Sequence, residues 1–232
     1  MQANIHDYYS DNFILIDLSK RRLRDVATVN EALDEVLPRV NKELTLAARK
    51  DEGVEEEKEA KQRDYSVIGI NMAYNEIDFV MEGENRDKLI EIVIERVQRV
   101  FSEANEGVKE EDVPIREIYL SVNDIEEIPP CLTMVKNTLE KLILSRNAIK
   151  WAESSETLKS LVNLRHLELQ GNLIKRIQYE DINALEKLEY LSLSCNKLET
   201  VEGMPEWPNL KFLGLFGNYL GEEYDEPNPE FV

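Results

Sequence analysis

A nine-residue pattern of apolar positions occurs five times in the second half of this 232-residue chain. Each copy has apolar residues at its first, fourth and sixth positions and an asparagine at its ninth. The copies are Ile115–Asn123, Leu139–Asn147, Leu164–Asn172, Leu188–Asn196 and Leu210–Asn218. The asparagines are 24, 25, 24 and 22 residues apart, so each copy belongs to a unit of nearly constant length. One unit cannot bury its own apolar residues, so the units are expected to stack side by side.

The centre of each copy alternates apolar and other residues, which is the periodicity of a short β-strand. The apolar side chains then point inward, and the residues between them point outward. The asparagine comes where the chain leaves the strand. Its amide can bond backbone groups of neighbouring turns that would otherwise be buried without partners. The pattern therefore predicts a parallel sheet with one strand per unit and short helices or turns on the opposite side.

This L-x-x-L-x-L-x-x-N pattern resembles the leucine-rich repeat. The resemblance implies an α/β solenoid of horseshoe shape with a parallel sheet on its concave side. The repeat length is similar to that of the intracellular short-repeat subclass, which includes regulators of protein phosphatase 1. That likeness implies a non-catalytic protein that binds its partner on the concave face, a phosphatase catalytic subunit being one such partner.

Residues 1–112 contain looser copies of the pattern. They start at Phe13, near Leu44, at Val67 and at Leu89. Together with the regular repeats over 113–220, they predict one solenoid of about nine repeats, followed by an acidic C-terminal tail over 221–232.

An alternative is that residues 1–112 form a separate α-rich domain. Arg86–Phe101 has apolar residues at helical spacing, and Val29–Leu46 could form a second helix that Pro38 would kink or break. In the solenoid interpretation the helical segment there is shorter, Asn30–Leu37, with Asn30 as its N-cap.

The net charge of −19 and the isoelectric point near 4.6 bear on the choice of partner. They disfavour nucleic acid, whose phosphates attract Lys and Arg, and anionic membrane surfaces. Basic proteins such as histones would be attracted, which makes an acidic, chaperone-like binder an alternative function. The same charge could also serve solubility alone.

No motif for catalysis, cofactor binding or metal binding stands out. The chain has two histidines, His6 and His166, and two cysteines, too few for a zinc site or a disulfide framework. We therefore expect no catalytic residues, no cofactor and no metal. No signal peptide or apolar span is visible, so a cytoplasmic or nuclear location is expected.

Outward strand positions give the predicted binding surface. One column, six residues before each asparagine, contains Glu117, Lys141, His166, Tyr190 and Phe212; a second, four before, contains Tyr119, Ile143, Glu168, Ser192 and Gly214; Phe216 lies in a third. Neighbours in a column are about 4.8 Å apart, so the aromatic residues cluster at the C-terminal end. Alternatively, Phe212 and Phe216 are covered by the tail, through Tyr224 or Phe231.

These features favour a scaffold or regulatory subunit that binds one protein on its concave face. The acidic, chaperone-like binder of basic proteins is the second hypothesis. A regulator of a small GTPase is the third, although repeats in such proteins are longer and contain a helix each.

Overall fold

Seven parallel strands form a single sheet in sequence order. The computed structural model describes residues 13–23, 25–51, 67–75, 86–105, 107–150, 155–177, 182–201 and 207–221. The strands are β1 (Phe13–Asp17), β2 (Val67–Asn71), β3 (Ile115–Tyr119), β4 (Lys141–Ile143), β5 (His166–Glu168), β6 (Tyr190–Ser192) and β7 (Phe212–Gly214). Each strand pairs with the next one along the chain, as expected for an α/β repeat solenoid.

Helices and tight turns lie on the connections between strands. The helices are α1 (Val26–Asp51), α2 (Arg86–Ala104) and α3 (Ser155–Ser160), and 3-10 turns cover Glu110–Asp112 and Pro130–Val135. One continuous apolar core runs from Ile16 through Val93 and Leu142 to Leu198. Within the described ranges, none of the helices combines the length and the hydropathy that a membrane-spanning segment needs.

The two N-terminal helices correct part of the repeat assignment. The strands predicted near Leu44 and at Leu89 are wrong, since these residues lie in α1 and α2. The count of nine repeats is therefore not confirmed; the described residues contain seven strands. In α2 the buried apolar residues are Leu89, Ile90, Val93, Ile94, Val97 and Phe101. This spacing places them on one helical face, whereas a strand would expose Ile90 or Val93.

Helix α1 begins earlier than predicted. Asn30 lies inside it, and Asp25 is the capping residue: its carboxylate accepts from the Thr28 N–H at 2.8 Å, and the Thr28 hydroxyl accepts from the Asp25 N–H at 3.2 Å. Pro38 does not end the helix. Arg96 of α2 donates to Asp34 at 2.6 Å, which ties the two helices together. The proposed domain division at residue 112 stays a prediction, although β1 and β2 belong to the same sheet as the later strands.

An asparagine ladder joins each repeat to the one before it. At Asn172, Oδ1 accepts from the Ile149 N–H at 3.1 Å, while Nδ2 donates to the carbonyls of Leu144 at 3.0 Å and Leu169 at 2.8 Å. The same kind of bonding occurs at the other members, Asn75, Asn123, Asn147, Asn196 and Asn218. The predicted role of the asparagines is thus confirmed.

The residue directly before each asparagine adopts a left-handed backbone, and so does Lys20, which precedes Arg21 in the first repeat. Five of these residues are not glycine: Lys20, Tyr74, Val122, Arg146 and Cys195, with φ of 57, 59, 56, 56 and 55°. Such a conformation is unfavourable for a side chain with a Cβ, and especially for a β-branched residue such as Val122. Each asparagine bonds the backbone on both sides of the turn in the preceding repeat, as Asn75 does with Leu18 and Arg21 around Lys20.

Replacing Asn172 by alanine should lower the free energy of unfolding by about 3 kcal/mol, because three buried backbone groups lose their partner at once. Urea denaturation measures this loss. The control is Asn163→Ala. Asn163 is half-exposed and bonds the Asn137 carbonyl at 2.9 Å and Lys187 at 2.7 Å, so its removal should cost about 1 kcal/mol or less. Equal losses for the two variants would contradict the ladder's role.

Asp25 makes the stability of α1 depend on pH. The Thr28 N–H holds the pKa of the Asp25 carboxyl below its usual value. A carboxyl whose pKa is lowered by folding stabilises the native state fully above its unfolded pKa, near 4, and this contribution is lost as the pH falls through the native pKa. The stability difference between wild type and Asp25→Ala should therefore shrink below about pH 4. Asp25→Asn, which keeps a capping oxygen, should retain part of the stability without that pH dependence.

Candidate functional site on the outer sheet face

The outward residues at and after the strands form what we call the outer sheet face. It consists of the side chains six, four, two and one positions before each asparagine, or before Arg21, which takes the place of the asparagine in the first repeat. Strand pairing aligns Glu117, Lys141, His166, Tyr190 and Phe212 in one column. It aligns Tyr119, Ile143, Glu168, Ser192 and Gly214 in the next. Leu15 and Gly69 continue the first column toward the N-terminus. Nine of the ten predicted binding residues thus lie in these two columns, where Ile143 and Ser192 are buried; Phe216 lies two residues beyond the end of β7.

Three rings in the first column lie parallel, and we call them the ring stack: His166, Tyr190 and Phe212. The centroids of His166 and Tyr190 are 4.1 Å apart with 5° between planes. Those of Tyr190 and Phe212 are 4.4 Å apart with 9° between planes. Phe212 is 45% exposed and Phe216 is 83% exposed. Aromatic side chains so exposed at one end of a face are typical of binding surfaces.

Small residues lie beside the Phe212 end of the stack. A Cβ added at Gly214 would be 3.1 Å from Phe212 Cε1 and 2.9 Å from Ser194 Oγ. Ser192, the neighbour of Gly214 on β6, is small and buried. Gly214 belongs to the second column but is not among the predicted binding residues, and a Cβ there would require the Phe212 ring or the Ser194 side chain to shift. The sequence signal for it is a glycine two positions after an outward aromatic residue.

The His166 ring is held in place from a second side. Its Nε2 lies 2.8 Å from Glu168 Oε1, and the other oxygen of Glu168 accepts from the Ser145 hydroxyl at 3.3 Å. A histidine and a carboxylate on an open sheet lack the converging groups that catalysis needs. In the described part of the chain, no group of three or more His, Cys, Asp or Glu side chains is placed to hold a metal ion.

A polar cluster occupies the middle of the face. The Tyr119 hydroxyl donates to the Glu117 carboxylate. Lys141 Nζ lies 5.1 Å from the centre of the Tyr119 ring and 3.8 Å from Glu117. Burial of Tyr119, and then its hydrogen bond to Glu117, raises the pKa of the Tyr119 hydroxyl above its usual value. The hydrogen of this hydroxyl is thus engaged by Glu117 within the cluster.

A line of alternating charges borders the ring stack, seven positions before each asparagine. We call it the charge ladder: Arg116, Glu140, Arg165, Glu189 and Lys211. Arg116 and Glu140 are 2.8 Å apart, Arg165 and Glu189 2.6 Å, and Lys211 and Glu189 2.6 Å; Arg165 also lies 3.9 Å from Glu140. Hydrogen bonds from Lys211 and Arg165 lower the pKa of the Glu189 carboxyl. The ladder is not among the predicted features, although the alternating signs at a fixed repeat position are visible in the sequence.

The outer sheet face and the charge ladder are almost neutral together. They contain six cationic residues, which are Lys20, Arg116, Lys141, Arg146, Arg165 and Lys211. They contain five acidic residues, which are Asp17, Glu117, Glu140, Glu168 and Glu189. The balance is 6 − 5 = +1, against −19 for the whole chain. The excess acidic charge therefore lies elsewhere in the chain.

The alternative in which the tail covers Phe212 and Phe216 involves Tyr224 and Phe231, which lie outside the described residues. The described part of the chain leaves both phenylalanine side chains exposed.

The ring stack should be visible in the proton NMR spectrum of His166. A ring 4.1 Å above another shields its protons, so Tyr190→Leu should move the His166 ring resonances downfield. The chain has only two histidines, and His166→Gln assigns the signal. Phe216→Ala, which removes a ring outside the stack, should leave it in place. A His166 signal that ignores the loss of Tyr190 would contradict the stack.

Comparisons with known proteins agree with this architecture. The family model described as leucine rich repeat matches residues 137–198 and 162–220. Adenylate cyclase of Schizosaccharomyces pombe is 28% identical over 168 residues, which is 70% of this chain and 10% of that protein. Human Toll-like receptor 8 is 31% identical over 137 residues, which is 50% of this chain and 12% of that protein. The chain thus spans about a tenth of the length of these relatives.

Two solved structures are also similar. An internalin from Listeria monocytogenes has a TM-score of 0.43 and 20% identity, covering 68% of this chain and 44% of that one. A leucine-rich repeat protein from Leptospira interrogans has a TM-score of 0.42 and 22% identity, covering 68% of this chain and 38% of that one.

Proposed function

We propose, from the premise that this chain is a leucine-rich repeat protein, that it is a non-catalytic scaffold or regulatory subunit. Leucine-rich repeat proteins typically mediate protein–protein interaction, and their stacked repeats present an extended binding surface. The partner here is a protein that contacts the outer sheet face, with the ring stack at the centre of the contact. The resemblance to the short-repeat subclass favours a phosphatase catalytic subunit as that partner.

The observation that carries this proposal is the exposed aromatic end of the face. Phe212 and Phe216 expose two large rings next to the small residues Ser192 and Gly214. Tyr190 is already fixed between two rings, so little side-chain entropy is lost when a partner covers it. Rigid aromatic side chains surrounded by small residues are the usual composition of a binding hot spot.

The near-neutral face separates this proposal from the acidic, chaperone-like binder. A binder of basic proteins would use clustered carboxylates, and its complexes would dissociate with rising salt. The acidic side chains of the charge ladder are instead paired with cations, as at Glu189. Contacts centred on the ring stack should therefore survive moderate salt. A regulator of a small GTPase remains a further hypothesis without a supporting contact.

The test is an affinity pull-down from native extract at low and moderate salt. The Tyr190→Glu, Phe212→Glu double variant should reduce recovery of the partner by roughly tenfold or more, because it places two charges in the centre of the contact. Val162→Glu is the matched control: Val162 is 48% exposed but lies on the turn after α3, away from the face. It should leave recovery unchanged.

Partners that are indifferent to the double variant and are removed by salt would contradict the proposal. That outcome would instead support an acidic binder that works through the carboxylates outside the outer sheet face.

A further inference from the structure

Strand β7 is the last strand of the sheet in the described part of the chain, and its outer edge is open there. In each earlier repeat, two backbone donors at the strand exit bond the following strand. On β6 these are the N–H groups of Leu193, 2.8 Å from the Gly214 carbonyl, and of Cys195, 2.6 Å from the Phe216 carbonyl. The equivalent N–H groups of β7 belong to Leu215 and Gly217, and no further described strand follows. Such an edge is a template for an added strand.

The charge ladder and the ring stack both end at this edge. The charge ladder ends with Lys211, whose side chain is 75% exposed and is paired with Glu189 on the β6 side alone. The ring stack ends with Phe212, which is stacked on Tyr190 by one face. Lys211 and Phe212 are consecutive residues, so an added strand would meet a cation and a ring side by side.

We propose that β7 binds an extended segment of the partner protein as an eighth parallel strand. In that segment an acidic residue lies opposite Lys211, and the next residue, opposite Phe212, is aromatic. The inference deepens the proposed function, since it rests on the partner being a protein that binds at the ring stack, and it adds the chemistry that the partner must present.

The acidic residue follows from the alternation of the ladder. Arg165 lies between two carboxylates, 2.6 Å from Glu189 and 3.9 Å from Glu140. Lys211 has a carboxylate on one side, and a strand about 4.8 Å away would bring the second. A cation opposite Lys211 would instead be repelled, which gives the edge selectivity as well as affinity.

The aromatic residue follows from the spacing of the stack. Parallel strands place rings of one column at stacking distance, as the centroid separations of 4.1 and 4.4 Å show. A fourth ring on Phe212 would bury the face that the sheet leaves open and would gain ring-stacking energy beyond the area buried. The order of the two residues also sets the direction: a parallel strand needs acidic then aromatic, and an antiparallel one needs the reverse.

The test uses fluorescently labelled nine-residue peptides whose central pair is Glu-Tyr, Tyr-Glu or Lys-Tyr, with the same flanking residues. The protein should bind the Glu-Tyr peptide several-fold more tightly than either of the others, because Tyr-Glu loses both the ion pair and the ring contact and Lys-Tyr meets repulsion. Lys211→Glu should reverse the preference to Lys-Tyr. A Glu-Tyr peptide that is N-methylated at alternate residues should lose binding, because it cannot form the backbone bonds.

Amide hydrogen exchange locates the contact. Binding of the Glu-Tyr peptide should slow exchange at Leu215 and Gly217 and leave the equivalent interior amides of Leu169 and Gly171 unchanged, since those already bond β6 at 2.8 and 2.9 Å. Equal affinity for the three peptides, or slowed exchange elsewhere, would overturn the proposal.

Residues 222–232 of this chain contain the pairs Glu223-Tyr224 and Glu230-Phe231, so they are tested as a rival occupant. If the peptide binds the Tyr224→Ser, Phe231→Ser variant but not the wild type, this chain's own segment occupies the edge. That result would overturn the proposal that a partner segment binds there. The two proposals also fail separately. An extract partner lost with Tyr190→Glu, Phe212→Glu but retained with Lys211→Glu would leave the proposed function standing and remove the added strand.

Discussion

The bonding of one asparagine side chain per repeat is the interaction on which the rest of this structure depends. A residue with left-handed backbone follows three positions after the end of each strand, and five of these seven residues carry a Cβ. That turn leaves backbone carbonyls and an N–H group facing the core, where water cannot reach them. The amide of Asn172, or its equivalent, has the acceptor and the two donor hydrogens that these groups need. The asparagine of the next repeat therefore holds each exit from Lys20 to Cys195.

A fixed register then brings side chains about 24 residues apart into contact. Because every repeat leaves its strand at the same point, position six before the asparagine always lies beside position six of its neighbours. His166, Tyr190 and Phe212 stack for that reason, and Arg165 and Glu189 pair for the same reason one position earlier. Neither the ring stack nor the charge ladder requires a special loop. Each needs only a residue of suitable chemistry at the same position of consecutive repeats.

The sequence was sufficient to predict β2 to β7 and the outward positions six, four and two before each asparagine, because the asparagine marks the register of each strand. Strand β1 was predicted from its apolar spacing alone. It was insufficient for residues 26–51 and 86–104, where an i, i+3 apolar pair fits both a strand exit and a helix face. In α2 the burial of Ile90 and Val93 decides for the helix, and this depends on packing against α1. The placement of the Phe212 ring could not be predicted either, since it depends on the absence of a Cβ at Gly214.

The acidic excess of the chain and the paired charges near the ring stack act at different distances from a partner. Carboxylates outside the outer sheet face provide the chain's excess of −19, and their field is screened beyond about 8 Å at physiological salt. Near the ring stack the charges of the face and of the charge ladder are paired, as Glu117 is with Lys141 and Glu189 with Lys211. A partner approaching the ring stack therefore meets fixed pairs and rings rather than a field of one sign. Selection among partners must then come from the position of individual groups, and the acidic excess can only influence how fast they meet.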